Sequence, residues 1–447
     1  MLITNRSLAS RSGTELYVAE LALALLARGH SPILYAPRRG ELAEQLRRQS
    51  VIVRSSLDDM ALAPDVIHGH HRVATMTALT RFPGVPVISF AHDFTHPDDA
   101  TPVHRSVQRY VAVDYTNRDR LLDQDGIDPG KVEVRLNWFD AKRFKPRTTP
   151  LPALPKRALV LSNQAVEGSG FLPILRVACE RFEIELDVAG LGVGKVLHAP
   201  ESILGTYDIV FAKARAAIEA MASGCATILC DAAGFGGLVT ANRVSEIRRL
   251  NFGLRSLRAG HAVDLVAASL AAYDAVDAAE VSAFIRSDAD MDTAVDGLVE
   301  LYRSVIEGQD QNIVHDPAAD DDSAESDARA MSNIFHAISL HINQLEDHGH
   351  LAAMERNQLA FERETLLART TSAEVAAAGA PADLAEERLR ADRSERALAA
   401  LAHDHAVILG STTFRVRDAL IRNRPLLSIW RSVRRSSAQD ASKKRSM

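Results

Sequence analysis

Cysteine is scarce: Cys179, Cys225 and Cys230 are the only three in 447 residues. None stands in a CxxC pair, so a zinc ribbon or disulfide scaffold is excluded. The three read as small buried hydrophobes of a reducing compartment. Aromatic residues are also few, at 5%, while Ala, Leu and Arg are plentiful, so helix should outweigh strand. No run approaches the ~18 consecutive apolar residues of a spanning helix. The opening MLITNRSLAS has no apolar signal-peptide core, and the expectation is a cytoplasmic protein. An excess of one charge is missing too. With 52 Lys and Arg against 58 Asp and Glu, net −6, a globally basic nucleic-acid binder is set aside. What remains, 47% apolar and 25% charged, is the composition of a folded globular chain, long enough for about three domains.

From residue 1 to about 308, short β-branched runs alternate with helical stretches, the rhythm of βαβ units and a parallel sheet. Strands are expected at Leu2–Thr4, Pro32–Tyr35, Val51–Val53, Asp65–His68, Val85–Phe90, Tyr110–Val113 and Val132–Arg135. After a Pro-rich linker, Pro146 to Pro155, the rhythm restarts with Ala158–Ser162, Glu185–Val188, Ile209–Phe211 and Ala226–Cys230. Two Rossmann-like domains facing a cleft are therefore predicted, 1–150 and 151–308. Residues 309–330 are acidic and read as a solvated linker. From 331 the apolar positions Met331, Phe335, Ile338, Ile342 and Leu345 are spaced as a heptad seam, so 331–405 is predicted as a coiled coil, with a homodimer as its simplest assembly. Residues 406–447 interleave Arg415, Arg417, Arg422, Arg424, Arg431, Arg434 and Arg435 with Leu, Ile and Trp430. A basic amphipathic tail of that kind suits an anionic membrane surface.

Several residues could carry chemistry. Gly13 and Thr14 open the first helix, where a glycine lets a ligand approach the backbone and free N–H groups attract anions. His68, His70 and His71 follow one strand and His92 and Asp93 another, at the carboxyl ends where open α/β sheets bind ligands. The three clustered histidines are read as cleft lining. A metal is not expected, because neighbouring strand residues face opposite ways. Lys213 and Arg215 open the helix that contains Glu219. Cations there oppose the helix dipole and make sense if an anion docks. Glu219, on an otherwise apolar helix, could accept from a vicinal diol. Gly234-Phe235-Gly236-Gly237 reads as a flexible loop near a phosphate. Asp288-Ala289-Asp290-Met291-Asp292 reads as a helix cap and loop, not a metal-binding DxD.

Together these features resemble family 4 glycosyltransferases. Gly13-Thr14-Glu15 before VAELALALLARGH, DVIHGHH at 65–71 and the passage at 111–144 are similar to that family's first domain, and Glu219-Ala220-Met221-Ala222-Ser223-Gly224 to the EAMA-G motif of its second. The resemblance implies the GT-B fold and sugar transfer from a nucleotide-diphosphate donor, with retention and without an essential metal or cofactor. It implies that Glu219 holds the ribose, that Gly13 approaches the donor phosphates or the acceptor, and that His92 lies near the transferred sugar; His92, Asp93, Lys213 and Arg215 are the catalytic candidates. Two departures stand out. The position eight residues before Glu219 is Phe211, where the family usually has a second glutamate. Ser162 to Glu167 lacks the family's usual Arg and Lys, so Lys213 and Arg215 become the diphosphate's cations, with Asn163 and Gly236 as further donor contacts. The tail, with Ser411-Thr412-Thr413-Phe414-Arg415, resembles extensions of bacterial cell-envelope glycosyltransferases. It points to a glycan or lipid-linked acceptor and a peripheral place at the inner membrane face. Two rival readings are a degenerate GT-B scaffold that assembles through its coiled coil and a nucleotide-sugar 2-epimerase.

Overall fold

A computed structural model describes residues 1–93 and 99–310, with scattered helical positions between 328 and 344. The first sheet is parallel. Its strands are β1 (Leu2–Thr4), β3 (Ile33–Tyr35), β5 (Ile52–Arg54), β6 (Ile67–His70), β7 (Val87–Ala91), β8 (Val107–Ala112) and β9 (Val132–Val134), in the order β5-β3-β1-β6-β7-β8-β9. Two short segments, β2 (Ser7–Leu8) and β4 (Arg38–Arg39), pair beside it. Helices α1 (Gly13–Ala27), α2 (Glu41–Arg48), α3 (Arg72–Arg81) and α4 (Tyr115–Asp123) make the crossovers. The central strands are buried on both faces, and so VISFA in β7 is an unbroken buried run. One face carries Ile3, Ile88 and Phe90 against α1. The other carries Leu2, Ile67 and Val87 against Ala74, Ala78 and Leu79 of α3.

The second sheet has the order β11-β10-β12-β13-β14, from β10 (Arg157–Leu161), β11 (Glu185–Ala189), β12 (Ile209–Ala212), β13 (Ala226–Asp231) and β14 (Gly234–Leu238). Helices α5 (Leu172–Arg181), α6 (Ala214–Ala222), α7 (Val244–Arg248), α8 (Val263–Ala271) and α9 (Ala275–Asp288) surround it, and α10 (Met291–Asp310) follows. Every strand predicted from the pattern is present, and the fold is the expected α/β pair of Rossmann-like domains.

Three details differ from the sequence reading. First, Gly234 to Gly237 is not a flexible loop. It belongs to β14, the antiparallel edge strand on β13, where a Cβ on Gly236 would lie 2.6 Å from the Ser256 carbonyl oxygen. These glycines serve close backbone packing. Second, the domains do not divide at 150 and 308. Phe139 and Phe144 already lie in the core of the second sheet, while Val295, Leu298 and Tyr302 of α10 return to the core of the first. The outgoing and returning segments touch at Phe139, whose N–H donates to Ala289 O (3.0 Å) and whose carbonyl accepts from Met291 N (3.1 Å). Proline content marked the linker, but burial decides the boundary. Third, Phe211 lies inside β12 with no exposed surface, and only Lys213 separates β12 from α6. The loop that would present a side chain eight residues before Glu219 does not exist here.

Asp290 caps α10, its carboxylate accepting from the N–H (3.0 Å) and hydroxyl (3.1 Å) of Thr293, as expected of that acidic stretch. The described positions from Phe335 onward, together with Asp99 and Ala100, belong to a unit separate from the two sheets. Of the predicted seam, Phe335 and Ile342 are buried and Met331 and Ile338 half-buried. Leu345, the rest of the coiled coil, residues 311–327 of the acidic linker and the basic tail lie outside the described residues.

Candidate functional site

The carboxyl ends of the first sheet carry a compact aromatic group. His68 and His70 are two apart on β6 and share a face, with Phe90 of β7 and His92 just beyond it. The His68 and Phe90 rings stack at 3.9 Å between centroids, and the His92 centroid is 4.6 Å from those of His70 and Tyr17. His68 Nδ1 is 2.6 Å from the Tyr302 hydroxyl, and His68 Nε2 is 2.7 Å from His70 Nε2. Burial in this apolar setting holds the pKa values of His68 and His70 well below the ordinary histidine range and lowers that of His92 to about 3. All three rings are therefore neutral at pH 7. Among the described residues His70 Nδ1, His92 Nε2 and the Tyr17 hydroxyl have no hydrogen-bond partner. His71 sits at φ 59° before α3, and its Nδ1 accepts from Arg6 N (3.3 Å). Among the described residues no group of three or more His, Cys, Asp or Glu is placed to hold a metal ion. Beyond β7 the chain is pinned: the His92 carbonyl accepts from Asn117 Nδ2 (3.4 Å) and the Asp93 carbonyl from Arg120.

The helix start beside this group is built by Glu15. Its carboxylate accepts from the N–H groups of Ala9 (3.0 Å), Ser10 (3.2 Å) and Ser12 (2.9 Å) and from the Ser10 hydroxyl. Burial alone would raise its pKa. The hydrogen bonds outweigh burial and lower it. Glu15 thus fixes the turn in which Gly13 is exposed and Thr14 half-buried. A Cβ on Gly13 would meet nothing within 4 Å among the described residues, so their packing does not require glycine there.

The carboxyl ends of the second sheet carry the charged groups. Asp231, at the end of β13, accepts from the Ser162 hydroxyl (2.9 Å) and Ala232 N (2.7 Å) and pairs with Lys213 Nζ (2.6 Å). Asn163 Oδ1 accepts from Leu191 N (3.1 Å), tying the loop after β10 to the loop after β11. That junction is tight: a Cβ on Gly190, at φ 148°, would stand 1.9 Å from the Ser162 carbonyl oxygen. Ala214, at φ 49°, opens α6 and donates its N–H to Phe252 O (2.8 Å), itself at φ 54°. Non-glycine residues in this left-handed region store backbone strain and cluster at functional sites.

On the first turns of α6, Arg215 Nε donates to Glu219 Oε1 (2.7 Å) and Arg215 Nη2 to Glu20 of α1. Glu20 also accepts from Arg143 Nη1 (2.9 Å) and Trp138 Nε1 (3.3 Å), and Arg143 pairs with Glu201 (2.9 Å). Glu219 is buried, which raises its pKa against the opposing pull of Arg215.

The structure therefore gathers Lys213, Arg215, Glu219 and Asn163 on one edge, and Gly13, Thr14, His68, His70, His92 and Asp93 on the edge of the other sheet. It leaves Gly236 in a packed strand, and His71 stands at the start of α3 with its Nδ1 bonded to Arg6 N. The sequence reading did not single out Glu20, Arg143, Ser162 or Asp231. Glu20 was open to detection, as the one charge inside the apolar run VAELALALLA.

Residues 11–143 match the description Glycosyltransferase Family 4. No curated protein matches the chain. Among solved structures, a glycosyltransferase from Rickettsia africae is similar at 12% identity and a TM-score of 0.49, over 68% of this chain and 98% of that one. Anabaena HepE in complex with UDP-glucose is similar at 14% and 0.47, over 68% and 99%. Sucrose-phosphate synthase from Thermosynechococcus elongatus is similar at 13% and 0.48, over 69% and 99%. Two Rossmann-like domains are present, and residues 11–143, in the first of them, carry the family 4 glycosyltransferase pattern.

Proposed function

We propose that the chain moves a sugar from a nucleotide-diphosphate donor, held on the second domain, to a glycan or lipid-linked acceptor of the cell envelope, with retention and without a resident metal. One observation carries the donor reading. Lys213, Arg215 and Glu219 stand together at the start of α6, on the carboxyl edge of a parallel sheet, where ligands of such sheets bind. Negative charge builds on the departing diphosphate in the transition state, and fixed cations aimed at it are the main catalytic resource available without a metal. Lys213 is the more open cation, its side chain 28% exposed against 14% for Arg215. Glu219 would take the ribose hydroxyls, and Gly13, Thr14, His92 and Asp93 would face the sugar and acceptor from the first domain.

One observation favours a second reading, a degenerate scaffold. Both cations are already paired with carboxylates, Lys213 with Asp231 and Arg215 with Glu20 and Glu219. Calorimetric titration of the full chain with UDP, GDP, CDP, ADP and dTDP separates the two. The donor reading expects one nucleotide to bind in the micromolar range, weakened about ten- to a hundredfold in Lys213→Ala and in Arg215→Ala. Failure of all five to bind would leave the scaffold.

Dimerisation through residues 331–405 and attachment of 406–447 to an anionic membrane complete the proposal. Among the described residues no helix is long and apolar enough to cross a membrane. Vesicles containing anionic lipid should sediment the full chain and fail to sediment a chain ending at residue 405. Equal sedimentation of the two would refute the tail's role.

A further inference from the structure

Glu20 is a carboxylate on the first domain whose principal partner is a cation of the second. It lies mid-helix in α1 and is 8% exposed. One oxygen receives Arg215 Nη2 and Arg143 Nη1 and the other receives Trp138 Nε1. The bonds continue on both sides, giving the line Glu201–Arg143–Glu20–Arg215–Glu219. Three carboxylates and two guanidiniums make this line one negative charge in excess. An incoming diphosphate therefore meets no spare cation in it. The Nε and Nη2 edge of Arg215 is held by Glu219 and Glu20, so the diphosphate gains that edge only by displacing a carboxylate.

Glu20 is the carboxylate placed to yield. Glu219 is four residues from Arg215 on the same helix and moves with it, whereas Glu20 belongs to the other domain. On losing Arg215, Glu20 retains Arg143 and Trp138, so its charge is not left buried without partners, which would be costly. We propose that Glu20 is a positioning residue that stands in for the donor's phosphate oxygens against Arg215 in the empty enzyme, and that donor binding is an exchange of Glu20 for diphosphate. The inference rests on the donor reading above. The exchange has two consequences. Arg215 is held extended toward the site before the donor arrives. The donor's apparent affinity is lowered by the fraction of molecules in which Arg215 is engaged by Glu20, a tax that a substitution can lift.

The test is a double-mutant cycle on the full chain, read by calorimetric titration with whichever of the five nucleotides binds. Glu20→Gln keeps an acceptor oxygen for Arg143 and Trp138 but removes the charge that competes with phosphate. It should tighten binding about three- to thirtyfold. In an Arg215→Ala background the same change should have no effect, because its influence passes through Arg215. A merely structural role would lower thermal stability in both backgrounds without tightening binding in either. Glu20→Asp keeps the charge but draws it back by one methylene. It should tighten binding by less, and it carries the test if the Gln variant does not fold. If wild type binds nucleotide and Arg215→Ala weakens it, yet neither Glu20 variant tightens it, the exchange is refuted and the donor reading stands. If wild type binds none of the five, both fall.

Discussion

The second ring nitrogen of His70 is a matter of hydrogen-bond arithmetic. A neutral imidazole has one donor and one acceptor. If Tyr302 donates to His68 Nδ1, then His68 Nε2–H donates to His70 Nε2, and one N–H at His70 Nδ1 is left over. The reverse direction strands the Tyr302 hydroxyl proton as well. The first arrangement is therefore favoured, and it presents a buried donor beside the Tyr17 hydroxyl and His92 Nε2, which have no partner among the described residues. These rings also set the protein's response to acid. Their folded-state pKa values lie below the unfolded value of about 6.5, so the unfolded chain binds more protons as pH falls through that value. Their contribution is intact above pH 6.5 and declines toward pH 3, where His92 titrates in the folded state. The expected loss is up to about 1.4 kcal/mol per pH unit for each such histidine. Urea unfolding at pH 7.5 and 5.0 checks this, in a window above the range where Glu15, whose pKa is lowered, begins to protonate. Equal stability at the two values would refute it.

Among the elements, two glycine-bearing turns that look alike in sequence behave oppositely. Gly190 follows β11 at φ 148° with a backbone oxygen 1.9 Å from its missing Cβ. Gly190→Ala should cost about 2–4 kcal/mol and part the loops after β10 and β11. Gly13 opens α1 with free space around it, and alanine is the better helix former. Gly13→Ala should leave the melting temperature unchanged or raised. If a ligand approaches that backbone, the same variant should lower donor or acceptor affinity, measured as a higher KM. A variant with unchanged stability and unchanged KM would remove Gly13 from the site. Helix α1 itself is apolar around its circumference because the sheet and α10 cover it from two sides.

At the scale of the molecule, the two domains are bound by chain crossing and by polar contacts. Asn251 Nδ2 donates to Val113 O, and Tyr115 N to Arg249 O (3.1 Å). Within the first domain, Arg28 of α1 pairs with Asp292 and Asp296 where α10 completes its core. A chain ending at Asp310 should therefore unfold cooperatively and keep the nucleotide affinity of the full chain. A fragment of residues 1–150 lacks Val295, Leu298 and Tyr302 and should expose the apolar face of α1. It is expected to aggregate or to melt without a cooperative transition, as differential scanning calorimetry would show. A cooperative 1–150 fragment would overturn the assignment of α10 to the first core.

Hydrophobic periodicity and turn chemistry are local properties, and they sufficed for the strands, the crossover helices and the placing of Lys213, Arg215 and Glu219 at one strand–helix junction. The pair of Rossmann-like domains followed from their alternation. Burial and charge pairing are not local. Nothing near Gly236 in the chain announces the Ser256 carbonyl that it packs against, and nothing near residue 308 announces that α10 returns to the first sheet. The same holds for the cations. The sequence by itself determined that positive charge stands at the head of α6. Only the tertiary structure decided that Asp231, 18 residues on, and Glu20, 195 residues before, already answer that charge, because carboxylates remote in the chain become neighbours only when both sheets are folded and joined.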